Sequence, residues 1–335
     1  MYNDYYGFNA KPFQLKPDPD FFFGSKGHSR AMAYLQYGLS QDEGFIVITG
    51  DVGAGKTTLV RNLCRRLPAD RIVVANIVNS ALDNSVDVLR MVLAAFRQPF
   101  ENISKAAMLM RLEMFMNECH GRGKRLLLIV DEAQNLSRPA LEELRMLSNL
   151  HIGDTPMLQT FLLGQPEFRE TMMSVEMSQL RQRVRATYHL GPLDEDETRT
   201  YIEHRLHRVG WRNDPEIDGD AHRAIHSHAG GIPRNINTLC DRLFLMGYLE
   251  ELHHFGGLEV QQVIDDLQQE FSVPPTMMQQ IGSSSAGAAA AAGQQQIEQV
   301  QEQVERMESS LASMLDALRK LVTPSRMNGA SGKDR

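Results

Sequence analysis

Cysteine, surplus positive charge and long apolar runs are all scarce in this chain, and each scarcity removes a class of function. The 335 residues include three cysteines, Cys64, Cys119 and Cys240, far apart and with no CxxC pair. That pattern builds neither a disulfide framework nor a zinc ribbon, and it fits a reducing compartment. No stretch of about 18 consecutive apolar residues occurs, so no transmembrane helix is expected. The opening MYNDYYGFNAKPF has neither a basic start nor an apolar stretch, so it does not read as a signal peptide. These absences give a cytoplasmic expectation, with any membrane contact peripheral and made through a partner. Lys and Arg number 35 against 42 Asp and Glu, for a net charge of −7. Non-specific nucleic-acid affinity comes from cations that neutralise phosphates, so no bulk nucleic-acid binder is expected, although a local basic patch is still allowed. The 42% hydrophobic and 23% charged residues exclude wholesale disorder.

The length allows about two globular units and a tail. From 272 to 296 there is no charged residue, and SVPPTMMQQIGSSSAGAAAAAGQQQ reads as a flexible linker. Before it, short apolar runs alternate with helical spacing. Strands are expected at 45–49, 71–78, 125–130, 158–164 and 186–190, with helices between them near 30–39, 59–67, 83–97, 105–120 and 138–150. Apolar strands alternating with helices imply an α/β fold with a parallel sheet covered on both faces. After Gly191-Pro192 only helices are expected, near 195–209, 219–229, 233–248 and 259–270. The expected organisation is a core at 1–191 that includes the aromatic and proline-rich N-terminal segment, a helical lid at 192–271, the linker at 272–296, an amphipathic helix at 297–322 and a disordered tail at 323–335.

Gly50, Asp51, Val52, Gly53, Ala54, Gly55, Lys56 and Thr57, followed by Thr58, fit the phosphate-binding pattern G-x-x-x-x-G-K-[ST] between an apolar strand and a helix. Glycines let the backbone wrap a phosphate and aim N–H groups at it. The following helix adds its N-terminal dipole. Lys56 brings a mobile positive charge to the phosphates, and the Thr57 hydroxyl is placed to ligate Mg²⁺. Downstream, Asp131 and Glu132 close the apolar run LLLIV. Asp131 there can hold the Mg²⁺ water shell, and Glu132 can polarise an attacking water. Gln165 follows the run FLLG, where it serves either as a strand-end cap or as a group that senses the terminal phosphate. In QLRQRVR, Arg181, Arg183 and Arg185 alternate. That row reads either as a salt-bridged helix face or as the source of an arginine finger for a neighbouring subunit, with Arg181 and Arg183 favoured. Arg234 sits in the first turn of a helix opened by GGIP, where a cation opposes the helix dipole but can reach back to a phosphate.

The motifs GDVGAGKTT, LLLIVDEAQNL and GIPRNINTLC, in that order, resemble those of AAA+ ATPases. The opening FNAKPFQLKPDPDFFFGSKGHSRAMAYLQYGL and the segments DEAQNLSRPALEELRMLSNL and LLGQPEFRE are similar to the secretion-type ATPases of the general secretion pathway A family. Within it the nearest branch is the ATPases of exosortase (PEP-CTERM) and exopolysaccharide loci, and the likeness covers about residues 1–270. The resemblance implies a P-loop AAA+ core with a helical lid, and ATP rather than GTP as substrate. Lys56 and Thr57 match Walker A, Asp131 and Glu132 match Walker B, Gln165 falls at sensor 1 and Arg234 at sensor 2. The regions Phe8–Phe13 and around His28 look like the adenine side. At the C-terminus the sequence departs from the family, whose members carry a membrane span and a peptidoglycan-binding domain.

Residues 297–321 keep an apolar heptad, with Ile297, Val304, Leu311 and Leu318 at one seam position and Val300, Met307, Met314 and Leu321 at the other. That spacing suits a coiled coil, or an amphipathic helix docked on its own body. His253-His254 reads as a loop pair and not as a metal site. The expected function is an ATP-driven, self-associating protein that serves a cell-envelope export or polysaccharide machinery. The alternatives are a DNA-dependent ATPase of the transposition-helper type and a nucleotide-gated scaffold with little turnover.

Overall fold

A mostly apolar strand has to be covered by helices, fully at the centre of a sheet and less at its edges, and one sheet gathers the five longest strands. They are β1 (Gly44–Gly50), β2 (Ile72–Ile77), β3 (Arg125–Val130), β6 (Leu158–Gly164) and β7 (Val184–Leu190). In this computed structural model they form a parallel sheet in the order β2-β3-β6-β1-β7. The structure describes residues 1–271 apart from 17, 42–43 and 79–81. The expected linker at 272–296, the amphipathic helix at 297–322 and the tail at 323–335 lie outside the described residues. Residues Met1–Gln268 form one compact unit.

Alternation along the strands splits the core into two layers. Phe45, Val47, Leu126, Leu128 and Val130 face one side. There they meet α4 (Ser85–Ala95), α5 (Lys105–Gly121) and α6 (Arg138–Leu147) through Leu89, Leu112 and Leu144. Ile46, Ile48, Leu127, Ile129 and Phe161 face the other side. They meet α2 (Lys26–Ser40) and α3 (Lys56–Arg66) through Leu35, Leu59 and Leu63. The helices start where the sequence offers a cap: Asn84 accepts from Val86 and Asp87, and Ser104 from Ala107. Two short helices that the spacing did not announce, α7 (Pro166–Met173) and α8 (Ser178–Gln182), follow β6. Proline sits at the first position of α7, which suits a helix start. A two-residue antiparallel ribbon, β4 (His151–Ile152) with β5 (Thr155–Pro156), joins α6 to β6.

The lid comprises α9 (Glu195–Arg208), α10 (Gly219–Ala229), α11 (Pro233–Leu249) and α12 (Gly257–Phe271), with a two-residue pairing of β8 (Glu216–Ile217) and β9 (His254–Phe255). Its core differs from expectation in one respect. The N-terminal segment, grouped by sequence with the sheet, buries Tyr2, Tyr6, Phe8 and Phe13 among Phe244, Phe255 and Leu206 of the lid. Tyr2 lies on the first short helix, α1 (Tyr2–Tyr5), and donates to Asp241, while Tyr6 donates to the Leu252 carbonyl. Aromatic surface of this size is worth several kcal/mol when buried, and the lid is where unfilled apolar surface was available. No helix among the described residues is long and apolar enough to cross a membrane.

Candidate active site

The site forms at the carboxyl ends of the parallel strands, where loops from neighbouring strands converge. The loop after β1 turns through Gly53 and Gly55 at φ +87° and +99°, a region that only glycine enters freely. A Cβ on Gly53 would lie 2.3 Å from the Cβ of Arg234, and one on Gly55 would lie 2.8 Å from His28 Nε2. Both glycines are therefore required by close neighbours as well as by the turn. Lys56 is buried and donates through Nζ to the carbonyls of Gly50 at 2.7 Å and Asp51 at 2.9 Å. Burial lowers its pKa, and the nearby carboxylates, Glu132 first, pull it back up. Ala54 is buried, Val52 is exposed at the mouth of the loop, and Thr58 lines the cleft beside Thr57.

Asp131 leaves β3 and Gln165 leaves β6, the strand between β3 and β1. The Thr57 hydroxyl donates to Asp131 Oδ2 at 2.7 Å. Two hard oxygen donors side by side suit Mg²⁺, which takes one or two carboxylates together with phosphate oxygens and water. Glu132 adopts a left-handed backbone, φ +54°, and points its carboxylate to a pair of glutamines. Gln134 Nε2 donates to Glu132 Oε2 at 2.6 Å and Gln165 Nε2 donates to the same oxygen at 3.2 Å. The amide of Gln165 in turn donates to Gln134 Oε1 at 3.1 Å. The bond from Gln134 is the main reason that the Glu132 pKa falls below its ordinary value, with Gln165 and Lys56 adding to it against partial burial. Glu132 is thus a carboxylate at neutral pH, aimed by two neutral donors. Gln134 was missed in the sequence, although it stands two residues past the acid pair.

Across the cleft, the backbone N–H of Arg234 donates to the Gly53 carbonyl at 3.3 Å. The lid helix α11 thereby starts on the phosphate loop itself. The Arg234 side chain is exposed and lines the cavity, which has a volume of about 390 Å³. Its other wall is the N-terminal segment. Gln14, Leu15, Phe21, Phe22, Phe23 and His28 line it, whereas Phe8 and Phe13 are buried in the lid and do not. His28 Nδ1 bonds Ser25 Oγ at 2.8 Å, and the ring hydrogen-bonds the Ala54 backbone of the phosphate loop. Burial lowers its pKa to about 4, so the imidazole is neutral.

The two favoured arginines lie away from this cleft. Arg181 Nη1 donates to the carbonyls of Met172 and Ser174, each at 2.7 Å. The Met172 carbonyl lies in the last turn of α7 and the Ser174 carbonyl also accepts from the Met177 amide, so the guanidinium is committed within its own chain. Arg183 lines a second cleft with Gly44, Arg145, His151, Gln179 and Arg185. It lies at the amino ends of β1 and β7, the end of the sheet opposite the phosphate loop. His253 and His254 bond Asp214 and Asp218, at 2.6 and 3.0 Å. Among the described residues no cluster of three or more His, Cys, Asp or Glu is placed to hold a metal ion.

Residues 39–172 match the AAA domain family. The chain is an AAA-domain protein. It is 36% identical over 256 residues to General secretion pathway protein A of Aeromonas hydrophila, a stretch that covers 76% of this chain and 46% of that protein. The chain thus spans less than half the length of that relative. Solved structures share the fold of this AAA-domain protein. Cdc6p of Pyrobaculum aerophilum superposes with a TM-score of 0.58 at 15% identity, covering 81% of this chain and 73% of that one. The ORC2 protein of Aeropyrum pernix, in its ADPNP-ADP complexes, gives 0.56 at 19% identity and covers 75% and 72%. The RuvB Holliday junction branch migration motor of Thermotoga maritima gives 0.51 at 17%, covering 76% and 74%.

Proposed function

We propose that this AAA-domain protein hydrolyses ATP with Mg²⁺ and uses the cycle to drive or regulate assembly of a cell-envelope export system. The observation that carries the reading is the convergence of Lys56, the Thr57–Asp131 pair and the glutamine-held Glu132 on one cleft. The loop N–H groups and Lys56 bind the phosphates. Thr57 and Asp131 would hold Mg²⁺, which when bound neutralises charge that develops on the phosphate oxygens. Glu132 orients and polarises the attacking water, and Gln134 and Gln165 fix its carboxylate. Arg234 brings a lid cation to the phosphates, so occupancy biases the angle between lid and core. In this reading Arg183, at the opposite end of the sheet, serves the site of a second copy. The export role rests on the likeness to General secretion pathway protein A, and it makes the export machinery and further copies of the chain the partners, with the protein held at the inner membrane through a partner.

The test is steady-state ATP hydrolysis against protein concentration, with and without duplex DNA, using Glu132→Gln as the blank. A rate per subunit that rises with concentration and ignores DNA supports the reading. A rate flat in concentration but stimulated by DNA would favour the transposition-helper class. No rate above the blank would leave a nucleotide-gated scaffold.

A further inference from the structure

Arg205 projects from α9 and is 6% exposed, yet among the described residues no carboxylate pairs with it. A guanidinium carries five N–H donors in a rigid fork. One, on Nε, is given to the Pro12 carbonyl at 2.7 Å, and one, on Nη1, to the Tyr201 hydroxyl at 3.0 Å. Its plane lies over the Phe21 ring, 4.8 Å from the centroid. Three donors of a buried cation remain without a partner among the described residues, and the side chain lines the same cavity as Lys56. Burying a charge in this way is unfavourable unless something in the cavity compensates it.

The place of Arg205 says which part of a ligand does so. Arg234 and Asn237 stand three residues apart on α11, on one face of the helix. The amide of Arg234 holds the phosphate loop, while Asn237 accepts from Tyr201 at 2.9 Å and reaches the Gln14 carbonyl at 3.4 Å. Arg205 lies beyond Tyr201 in that chain of bonds, against the N-terminal segment. Asn237 and Tyr201 thus stand between Arg205 and the residue that holds the phosphate loop. An electron-rich, acceptor-bearing ring is what a stacked guanidinium takes there.

We propose that Arg205 recognises the base of the nucleotide, donating to purine ring nitrogens while it holds the Pro12 carbonyl, so that base occupancy fastens the N-terminal segment to the lid. The inference rests on the nucleotide reading above. It makes Arg205 a specificity residue that the phosphate-side motifs do not include.

The test is calorimetric binding of ADP and of inorganic pyrophosphate, with Mg²⁺, to the full chain and to Arg205→Met and Arg205→Lys. Loss of charged hydrogen bonds should weaken ADP about ten- to a hundredfold in Arg205→Met, while pyrophosphate changes less than about twofold. Retained pyrophosphate binding also shows that the variant is folded. If the Met variant does not fold, Arg205→Lys keeps the charge but not the fork and should weaken ADP about tenfold. In the unaltered protein, ADP but not pyrophosphate should slow amide exchange across Phe13–Phe23. Unchanged ADP affinity in the folded variants, or equal losses for ADP and pyrophosphate, overturns the assignment. If the unaltered chain binds neither ligand, the nucleotide reading itself falls and this inference falls with it.

Discussion

His28 ties the phosphate loop to the N-terminal segment, and its neutrality makes that tie sensitive to acid. The ring is 6% exposed, bonded on one side to Ser25 and on the other to the Ala54 backbone. Its pKa falls from an ordinary 6.5 to about 4 because burial disfavours the imidazolium. Between those values the unfolded chain binds a proton that the folded chain refuses. Stability therefore is complete above about pH 6.5 and is lost as pH falls toward 4. At 1.36 kcal/mol per pH unit, the full window amounts to roughly 3 kcal/mol. His28→Gln removes the titration but keeps an amide that can donate to Ala54. Urea unfolding at pH 7 should show the variant less stable by about 1–2 kcal/mol, through the lost Ser25 bond. At pH 4.5 most of the wild-type advantage should be gone, and the two proteins should converge or cross. His204 and His222, whose pKa values are also lowered by burial, are present in both chains and cancel in the comparison. A constant separation from pH 7 to pH 4.5 would refute the reasoning, because it would mean that His28 is already free to protonate in the fold.

Four further outcomes are expected. Glu132→Gln should lower turnover by about 10²–10⁴-fold while nucleotide affinity, read by calorimetry, stays within about threefold. The two arginines should separate cleanly. Arg181→Ala should lower stability by about 1–3 kcal/mol in denaturant unfolding, by removing the side-chain donor to the Met172 carbonyl and one of the two donors to Ser174. Arg183→Ala should leave stability nearly unchanged but cut the hydrolysis rate by about 10³-fold, and adding an Arg183-intact, Glu132→Gln copy should restore part of it. Gly53→Ala places a Cβ 2.3 Å from Arg234 Cβ at a φ of +87°. The expected results are a loss of about 1–2 kcal/mol in stability and at least about tenfold weaker nucleotide binding.

Much of the sheet was legible because its strands are short, apolar and bounded by turns. Residues 125–130 and 158–164 were expected as strands and are β3 and β6 to the residue. α7 was not legible: proline at its start and eight residues of mixed polarity give no clear period. The residues of the phosphate loop follow a local pattern, so spacing alone put them next to one another. Gln134, Tyr201 and Arg205 follow none. They meet the site only because β3 and β6 bring their carboxyl ends together and the lid folds back over the loop, which is long-range information. The N-terminal aromatics were placed with the wrong neighbour for the same reason. Their sequence says that they must be buried, and only the folded lid says where.

That burial has a consequence for how the chain is made. Phe8 leaves the ribosome well before Phe244, its ring neighbour at 5.7 Å, which is added 236 residues later. At about 5–20 residues per second, the delay is on the order of 10–50 s. For that interval the β/α core can already close around its own strands, while Tyr2, Tyr6, Phe8 and Phe13 have no lid to enter. These aromatics are thus synthesised long before the lid that shelters them. A molecule cut short before α11 would present a bare aromatic handle to the chaperones and proteases that survey new chains.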